Sequence, residues 1–270
     1  MRKQAFLIIT HNEFEILQLL VSKLDNPDVD IFIHFDRKVK VIPEIKVENS
    51  GLFILDKRVD VRWGSVSQIK CELALFKAAA RHGPYEYYHL ISGVHLPLKP
   101  VGKILSVFDS SEGECIFSGL CHSSPYQERL KVRSYNLFLR HYSSANDVLR
   151  IISQFLWKSV VAIQRVLGIE CNRNSVFYKA SNWLSLTQEA VDYVLSREKE
   201  ILKTYRYSFC GDEYFIPSEL MASPLRDKVV NSEKYLLHNI SRSNASTYSL
   251  NEYDGLCETG YLFARKFTKQ

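Results

Sequence analysis

The fold class this sequence predicts is α/β, a mostly parallel sheet flanked by helices, and three observations predict it. Short, continuous apolar runs alternate with segments of helical period. The runs lack a polar alternation, which marks strands buried on both faces of a sheet. No repeat, low-complexity tract or flexible linker interrupts the 270 residues, so they read as one domain.

The first run is Ala5–Thr10. Phe14, Ile16, Leu17, Leu19, Leu20, Val21 and Leu24 follow at helical spacing, and Asn26-Pro27 stops that helix. Asp30–Phe35 is the second strand, ending at Asp36-Arg37-Lys38, and Asp28-Val29-Asp30 before it reads as a turn. Strand, helix and strand make a βαβ unit. Its right-handed crossover brings His11 and Asp36 to one sheet edge, where ligands bind in open α/β sheets. Gly51–Leu55 is a third strand. A helix over about 65–81 is expected to be capped by Ser65 or Ser67 and ended by Gly83-Pro84. Tyr87–Ser92 is a fourth strand, broken by Gly93. A short helix, Val101–Phe108, and a fifth strand, Glu114–Ser118, close the first half.

After residue 120 the character changes. Arg129, Lys131, Arg133 and Arg140 alternate with Tyr126, Tyr135, Phe138 and Tyr142. Over 148–169 apolar residues recur on one face of a long helix that also carries Arg150, Lys158 and Arg165. It is too charged to span a bilayer. Such a stripe ordinarily faces a core; a basic amphipathic helix can also lie on an anionic membrane. Phe177–Leu186 returns to strand, carrying Ser181 and Trp183, and Thr187 caps the helix that follows. Tyr235–Ile240 is a strand and Ser249–Glu258 a short helix.

Charge and cysteines narrow the class. The net +5 suits an anionic small molecule or membrane surface and is too mild for nucleic acid. The six cysteines include no CxxC pair, which disfavours zinc and fits reduced thiols. The N-terminal run lacks the length and cleavage site of a signal peptide, so a cytoplasmic location is expected; peripheral contact at the inner membrane face belongs to the alternative reading of 148–169, the core-facing one being favoured. Phosphate-cradling GxGxxG and GxxxxGK[ST] loops and the GxSxG elbow are missing, which disfavours dinucleotide, P-loop and serine-hydrolase chemistry.

Two motifs remain. In Phe209-Cys210-Gly211-Asp212-Glu213-Tyr214-Phe215, two adjacent carboxylates follow a glycine and are boxed by aromatics. Burial there would raise a carboxyl pKa toward that of a general base. Alternatively, Asp212 caps a helix that Glu213 opens. In the second motif, Arg265-Lys266 lies among Leu262, Phe263 and Phe267, which argues for packing rather than a loose tail. Arginine and lysine can meet the charge of a diphosphate.

The chain resembles the core-2/I-branching β-1,6-N-acetylglucosaminyltransferase family, which includes the peptide O-xylosyltransferases, in the manner of a bacterial-type member. The likeness is carried in order by 5–12, 33–38, Val61-Arg62-Trp63-Gly64-Ser65, 89–99, 181–187, Gly211-Asp212-Glu213-Tyr214-Phe215 and 262–267. It implies a GT-A-like domain over 1–270: a nucleotide-sugar half (1–118), a variable basic and amphipathic region (119–175), and an acceptor-binding and catalytic half (176–270). It implies inverting transfer of a sugar, N-acetylglucosamine by analogy, from a UDP-sugar to a glycan hydroxyl in surface polysaccharide synthesis. The acceptor would be a free or lipid-linked glycan, with no cofactor and no metal ion. Transfer of xylose or a hexose, or a non-catalytic binding role, are the alternatives. By resemblance Glu213 is the base and Lys266, with Arg265, meets the diphosphate. His11, Asp36, Arg62, Trp63 and Gly93 join them at the nucleotide-sugar end. Ser181, Trp183, Asp212 and His95 fall to the acceptor, with Trp183 stacking on it. Two positions depart from the pattern. The family's Ser-Gly-x-Asp-x-Pro has His95 in place of its acid, and an expected basic residue appears as His238, with Arg242 nearby.

Overall fold

The computed structural model describes residues 3–238, 240–241, 244–245 and 247–269. Its centre is a seven-stranded sheet. In chain order the strands are β1 (Gln4–Thr10), β2 (Val29–Phe35), β3 (Gly51–Ile54), β4 (Tyr87–Ser92), β6 (Cys115–Phe117), β9 (Leu184–Thr187) and β10 (Val229–Asn231). Across the sheet they run β10-β6-β9-β4-β1-β2-β3. Only β9 runs antiparallel to its neighbours, β4 and β6. Every residue of β1, β2 and β4 is buried, as the unbroken apolar runs predict.

The helices are α1 (Phe14–Leu24), α2 (Ser67–Ala80), α3 (Val101–Asp109), α4 (Pro125–Lys131), α5 (Asp147–Val166), α6 (Gln188–Ser196), α7 (Glu198–Thr204) and α8 (Phe215–Met221), with a last short turn of helix at Tyr253–Cys257. Smaller pairings complete the chain. A three-stranded sheet joins β5 (His95–Pro97), β11 (Leu236–Leu237) and β15 (Phe263–Arg265). The strands β7 (Cys121–His122) and β8 (Tyr178–Lys179) pair with each other. So do β12 (Ile240–Ser241) with β13 (Asn244–Ala245), and β14 (Tyr248–Ser249) with β16 (Phe267–Thr268).

Several local expectations are corrected. Neither Ser65 nor Ser67 caps α2; its N-cap is Val66, and the two hydroxyls bond each other at 2.7 Å while Ser67 Oγ accepts the Arg62 N–H. Asp30 is no turn residue but lies inside β2, where its carboxylate takes Lys3 and Tyr85. The expected strand 177–186 is split into β8 and β9 by a loop, because residues 180–183 turn away to meet the Glu213 loop. Asp212 caps no helix. Residues Gly211–Glu213 form a single 3-10 turn entered through a left-handed Cys210, and α8 starts at Phe215 without a side-chain cap. The core-facing reading of 148–169 also fails. The buried residues of α5 are Ser153, Trp157 and Gln164, and its apolar arc points outward. Thr187, in contrast, caps α6 as expected, accepting the Ala190 N–H.

Candidate active site

Parallel pairing sets the first side of the cleft. Thr10 is in register with Phe35 and Ile9 with Ser92, so His11, Asp36 and Gly93 leave the sheet side by side. Strand order reverses between β4 and β1, which opens a crevice at their carboxyl ends. Gly93 donates its N–H to Ile9 O at 2.9 Å. A Cβ there would lie 2.5 Å from Thr10 Oγ1, so only glycine lets the loop cross β1 this closely.

Beyond β2 the charges are chained. Asp36 accepts the Lys38 N–H at 2.8 Å and its ammonium at 2.7 Å; Lys38 reaches Asp60 at 3.5 Å, and Asp60 holds Arg62 at 2.7 Å. Asp36 and Arg62 are therefore engaged with protein partners, and Lys38 becomes part of this wall. Burial lowers the pKa of His11, which also feels Asp36, Lys38 and Lys266. Trp63 stands 56% exposed, stacked on Tyr142 and edge-on to Phe209. It thus belongs to an aromatic group that joins the Glu213 loop to α5.

The opposite wall carries positive charge. Strand β15 runs antiparallel to β5 and sets Arg265 opposite His95. The Arg265 guanidinium lies 4.8 Å over the Trp183 ring, its Nη1 sits 3.3 Å from His238 Nε2, and its Nε has no partner among the described residues. Burial pulls its pKa down to about 10, and burial followed by Arg265 lowers that of Lys266. Among the described residues neither cation meets a carboxylate within 4 Å. Two adjacent, partly desolvated cations without a counter-charge are costly unless an anion joins them.

His95 explains part of that deficit. Its Nδ1 accepts from Ser92 N–H at 3.0 Å and lies 2.8 Å from Ser92 Oγ, so the proton sits on Nε2 and the ring is neutral. Burial, then Arg265 and His238, holds its pKa well below the usual range. His95 thus gives Ser92 an acceptor and brings no negative charge beside Arg265. The acceptor roles expected of His95 and Trp183 are corrected. His95 is fully buried edge-on under Trp183. Trp183 is only 5% exposed and covered by Arg265, which leaves no face for a stacked sugar. The pair supports Arg265 instead. Ser181 fixes this loop, donating its N–H to Ser118 O and accepting the Trp183 N–H.

Glu213 ends the 3-10 turn Gly211–Glu213 and lies within electrostatic reach of His238. The Phe209 N–H donates to Lys131 O, the Cys210 N–H to Gly64 O and the Ala180 N–H to Glu213 O, so three segments pin the turn. The Glu213 side chain is 30% exposed. Lys131 Nζ is 2.8 Å and Lys179 Nζ 3.3 Å from its Oε2. Oε1 has no hydrogen-bond partner among the described residues. The Lys131 pKa is raised, since the pull of Glu213 outweighs the opposing burial. Asp212 beside it has an enclosed, unpartnered Oδ1, and burial followed by Glu213 pushes its pKa up to about 7. Its neighbour is Glu72 of α2, fully buried with Oε2 unpartnered. Burial and Asp212 hold Glu72 well above the carboxylate range. His238 links the walls, its pKa lowered to about 4 by burial, Arg265 and Lys266 against the pull of Glu213. Arg242 lies outside the described residues. Among them, no group of three or more His, Cys, Asp or Glu side chains is placed to hold a metal ion.

Sequence reasoning missed Lys131, Lys179 and Glu72. Glu72 was open to detection, because it falls on the apolar face of α2 with Ile69, Leu73 and Phe76. Nothing in spacing marks the two lysines, which come from α4 and β8 and meet only in three dimensions.

Among solved structures, mouse xyloside xylosyltransferase 1 in its apo form aligns over 98% of this chain and 97% of that one, with a TM-score of 0.41 and 10% identity. No curated protein matches. The family model described as Core-2/I-Branching enzyme matches residues 4–254, from the first strand through the Glu213 loop. Because that match takes in the sheet edge, the loop and nearly all the sequence between and around them, this chain belongs to the Core-2/I-Branching enzyme family.

Proposed function

We propose that this glycosyltransferase moves a sugar from a UDP-sugar to a glycan hydroxyl with inversion, in one displacement and without a metal ion. The single observation that supports the proposal is that Arg265, Lys266 and Glu213 all act on His238, with the two cations lacking carboxylate partners among the described residues. Their charge suits a diphosphate that leaves with an electron pair. His11 and Gly93, at the crevice edge, suit the nucleotide and sugar between them.

In this reading the acceptor hydroxyl lies against Glu213 Oε1, while Lys131 and Lys179 hold Oε2 and fix the carboxylate plane. The acceptor oxygen forms its bond to the anomeric carbon as the bond from that carbon to the UDP oxygen breaks. The electron pair leaves with UDP, and the hydroxyl proton passes to Glu213. The geometry reverses at the anomeric carbon because entry and departure lie on opposite faces. N-acetylglucosamine is the proposed sugar, and the acceptor a glycan of surface polysaccharide.

Glu213→Gln tests this. It keeps size and polarity but cannot take the proton, so turnover falls by about a hundredfold or more with UDP binding unchanged. Near-normal turnover would overturn the assignment. A thermal-shift panel of UDP-N-acetylglucosamine, UDP-xylose, UDP-glucose and non-uridine nucleotide sugars decides the donor, since the best ligand stabilises most. Activity that survives exhaustive EDTA treatment is expected.

A further inference from the structure

Helix α5 is turned the opposite way from an ordinary surface helix. Its protein-facing side is tied down by polar contacts. Ser153 Oγ donates to Phe138 O, Trp157 Nε1 to Asn136 Oδ1 at 2.8 Å, and Gln164 exchanges bonds with the Tyr135 backbone at 2.8 and 3.0 Å. Its apolar side faces out. Val148, Ile151, Phe155, Ile163 and Val166 all lie at least half exposed, Phe155 at 68% and Val166 at 85%. At about 3.6 residues per turn they form one continuous arc, edged on one flank by Lys158 and Arg165. A contiguous apolar face of this length rimmed by charge marks an interaction surface.

The charge says what covers it. Residues 119–175 hold eight basic against three acidic side chains, so this one segment carries the chain's entire net +5 and the remainder is neutral. Arg140, Lys158 and Arg165 are exposed and make no ion pair among the described residues. Among the described residues no helix is long and apolar enough to cross a membrane. A helix with a broad apolar arc, a basic flank and no capacity to span lies in the plane of a bilayer surface. We propose that the outward face of α5 seats this protein on an anionic lipid bilayer.

The seating has a consequence for the cleft. Trp157, on the inner side of α5, packs on Phe209 with ring centroids 5.1 Å apart, and Phe209 opens the loop that ends in Glu213. A bilayer under α5 therefore lies close to the acceptor end of the cleft and brings a lipid-carried acceptor within reach. Only this consequence rests on the transferase reading; the binding itself does not.

Flotation of the full chain on a sucrose gradient tests the binding without any substrate. The probes are vesicles of phosphatidylcholine mixed with phosphatidylglycerol, and of phosphatidylcholine alone. The wild type is expected to float with the mixed vesicles and to remain mostly behind with the neutral ones. Ile151→Asn/Phe155→Asn and, separately, Lys158→Glu/Arg165→Glu should each lower the bound fraction by about tenfold or more. Both keep the wild-type Tm, because all four side chains are exposed. Failure of the wild type to float with the mixed vesicles overturns the proposal. So does equal flotation on both vesicles that ignores the charge reversal. A wild-type dimer that Ile151→Asn/Phe155→Asn converts to monomer, with no flotation by either, assigns the face to a second copy instead.

Discussion

Lys131 Nζ stands 2.8 Å from Glu213 Oε2, and Lys179 Nζ stands 3.3 Å from the same oxygen. Both donors crowd one oxygen and leave the other without a hydrogen-bond partner among the described residues. Lys131 also belongs to the residue whose carbonyl anchors Phe209, so helix and turn are braced twice. Lys131→Met keeps most of the stem and removes the ammonium. Glu213 then keeps Lys179 but loses its closer anchor. The expected result is a kcat reduced about ten- to hundredfold with UDP affinity unchanged, since small misplacements of a reacting group cost about that much. Steady-state kinetics alongside calorimetric UDP titration separates the two, and an unchanged kcat would remove Lys131 from the machinery.

Arg265 gives a prediction of opposite signs for stability and binding. It is buried, and beside it lie two neutral histidines, His95 and His238, and an indole face, with no carboxylate within 4 Å among the described residues. Arg265→Met removes an uncompensated charge and loses a cation–π contact worth about 0.5–2 kcal/mol. Relief of the buried charge outweighs that loss, so the ligand-free Tm should rise. The thermal shift produced by UDP should shrink, with Kd weakened about tenfold or more. A lower Tm together with intact UDP binding would mean that Arg265 is a structural cation.

Much of this was legible along the chain, and what was not has a physical reason. The strands β1, β2 and β4 announce themselves because burial on both faces leaves no polar alternation. His11 and Asp36 could be brought to one edge from crossover handedness alone, whereas Gly93 joined them only by resemblance. The orientation of α5 could not. An apolar stripe shows that a helix has two faces, not which one meets the protein, and here hydrogen bonds from Ser153, Trp157 and Gln164 decide it. Asp212 likewise read as a cap because its spacing fits one, whereas the left-handed Cys210 makes a separate turn there. Trp183 read as a stacking platform because aromatics near sugar sites commonly are. The register of β15 on β5 puts Arg265 on it instead.

The two buried carboxyls make stability depend on pH. Asp212 has its pKa raised from 3.8 to about 7 by burial and then by Glu213, and Glu72 shifts in the same direction. Between these values the folded chain holds a proton that the unfolded chain has released. Stability therefore falls as pH rises from about 4 to about 7 and stays low above that. His238, lowered to about 4, acts oppositely, losing stability as pH falls through 6.5 toward 4. Comparing a variant with wild type isolates the carboxyl. Asp212→Asn should match the wild-type stability near pH 4 and exceed it at pH 8 by on the order of 2–4 kcal/mol, seen as a higher Tm at pH 8 only. Calorimetric scans at the two pH values check this, and a constant difference between them would show that Asp212 titrates normally.

Gly93 is where fold and site meet most tightly. A Cβ at this position would lie 2.5 Å from Thr10 Oγ1 and 2.8 Å from Thr10 Cβ. The second atom is fixed to the backbone of a fully buried strand, so no rotamer change makes room. Gly93→Ala must therefore push the β4 end away from β1. Forced overpacking of this kind typically costs about 1–3 kcal/mol. The displaced segment carries Ser92, whose N–H fixes the His95 tautomer, and it borders His11. Loss of UDP affinity should accompany the lower Tm and persist well below the melting transition, where the variant is fully folded. Chemical denaturation combined with UDP titration at low temperature makes that separation. A variant that is destabilised but binds UDP normally would place the nucleotide away from the β1–β4 crevice.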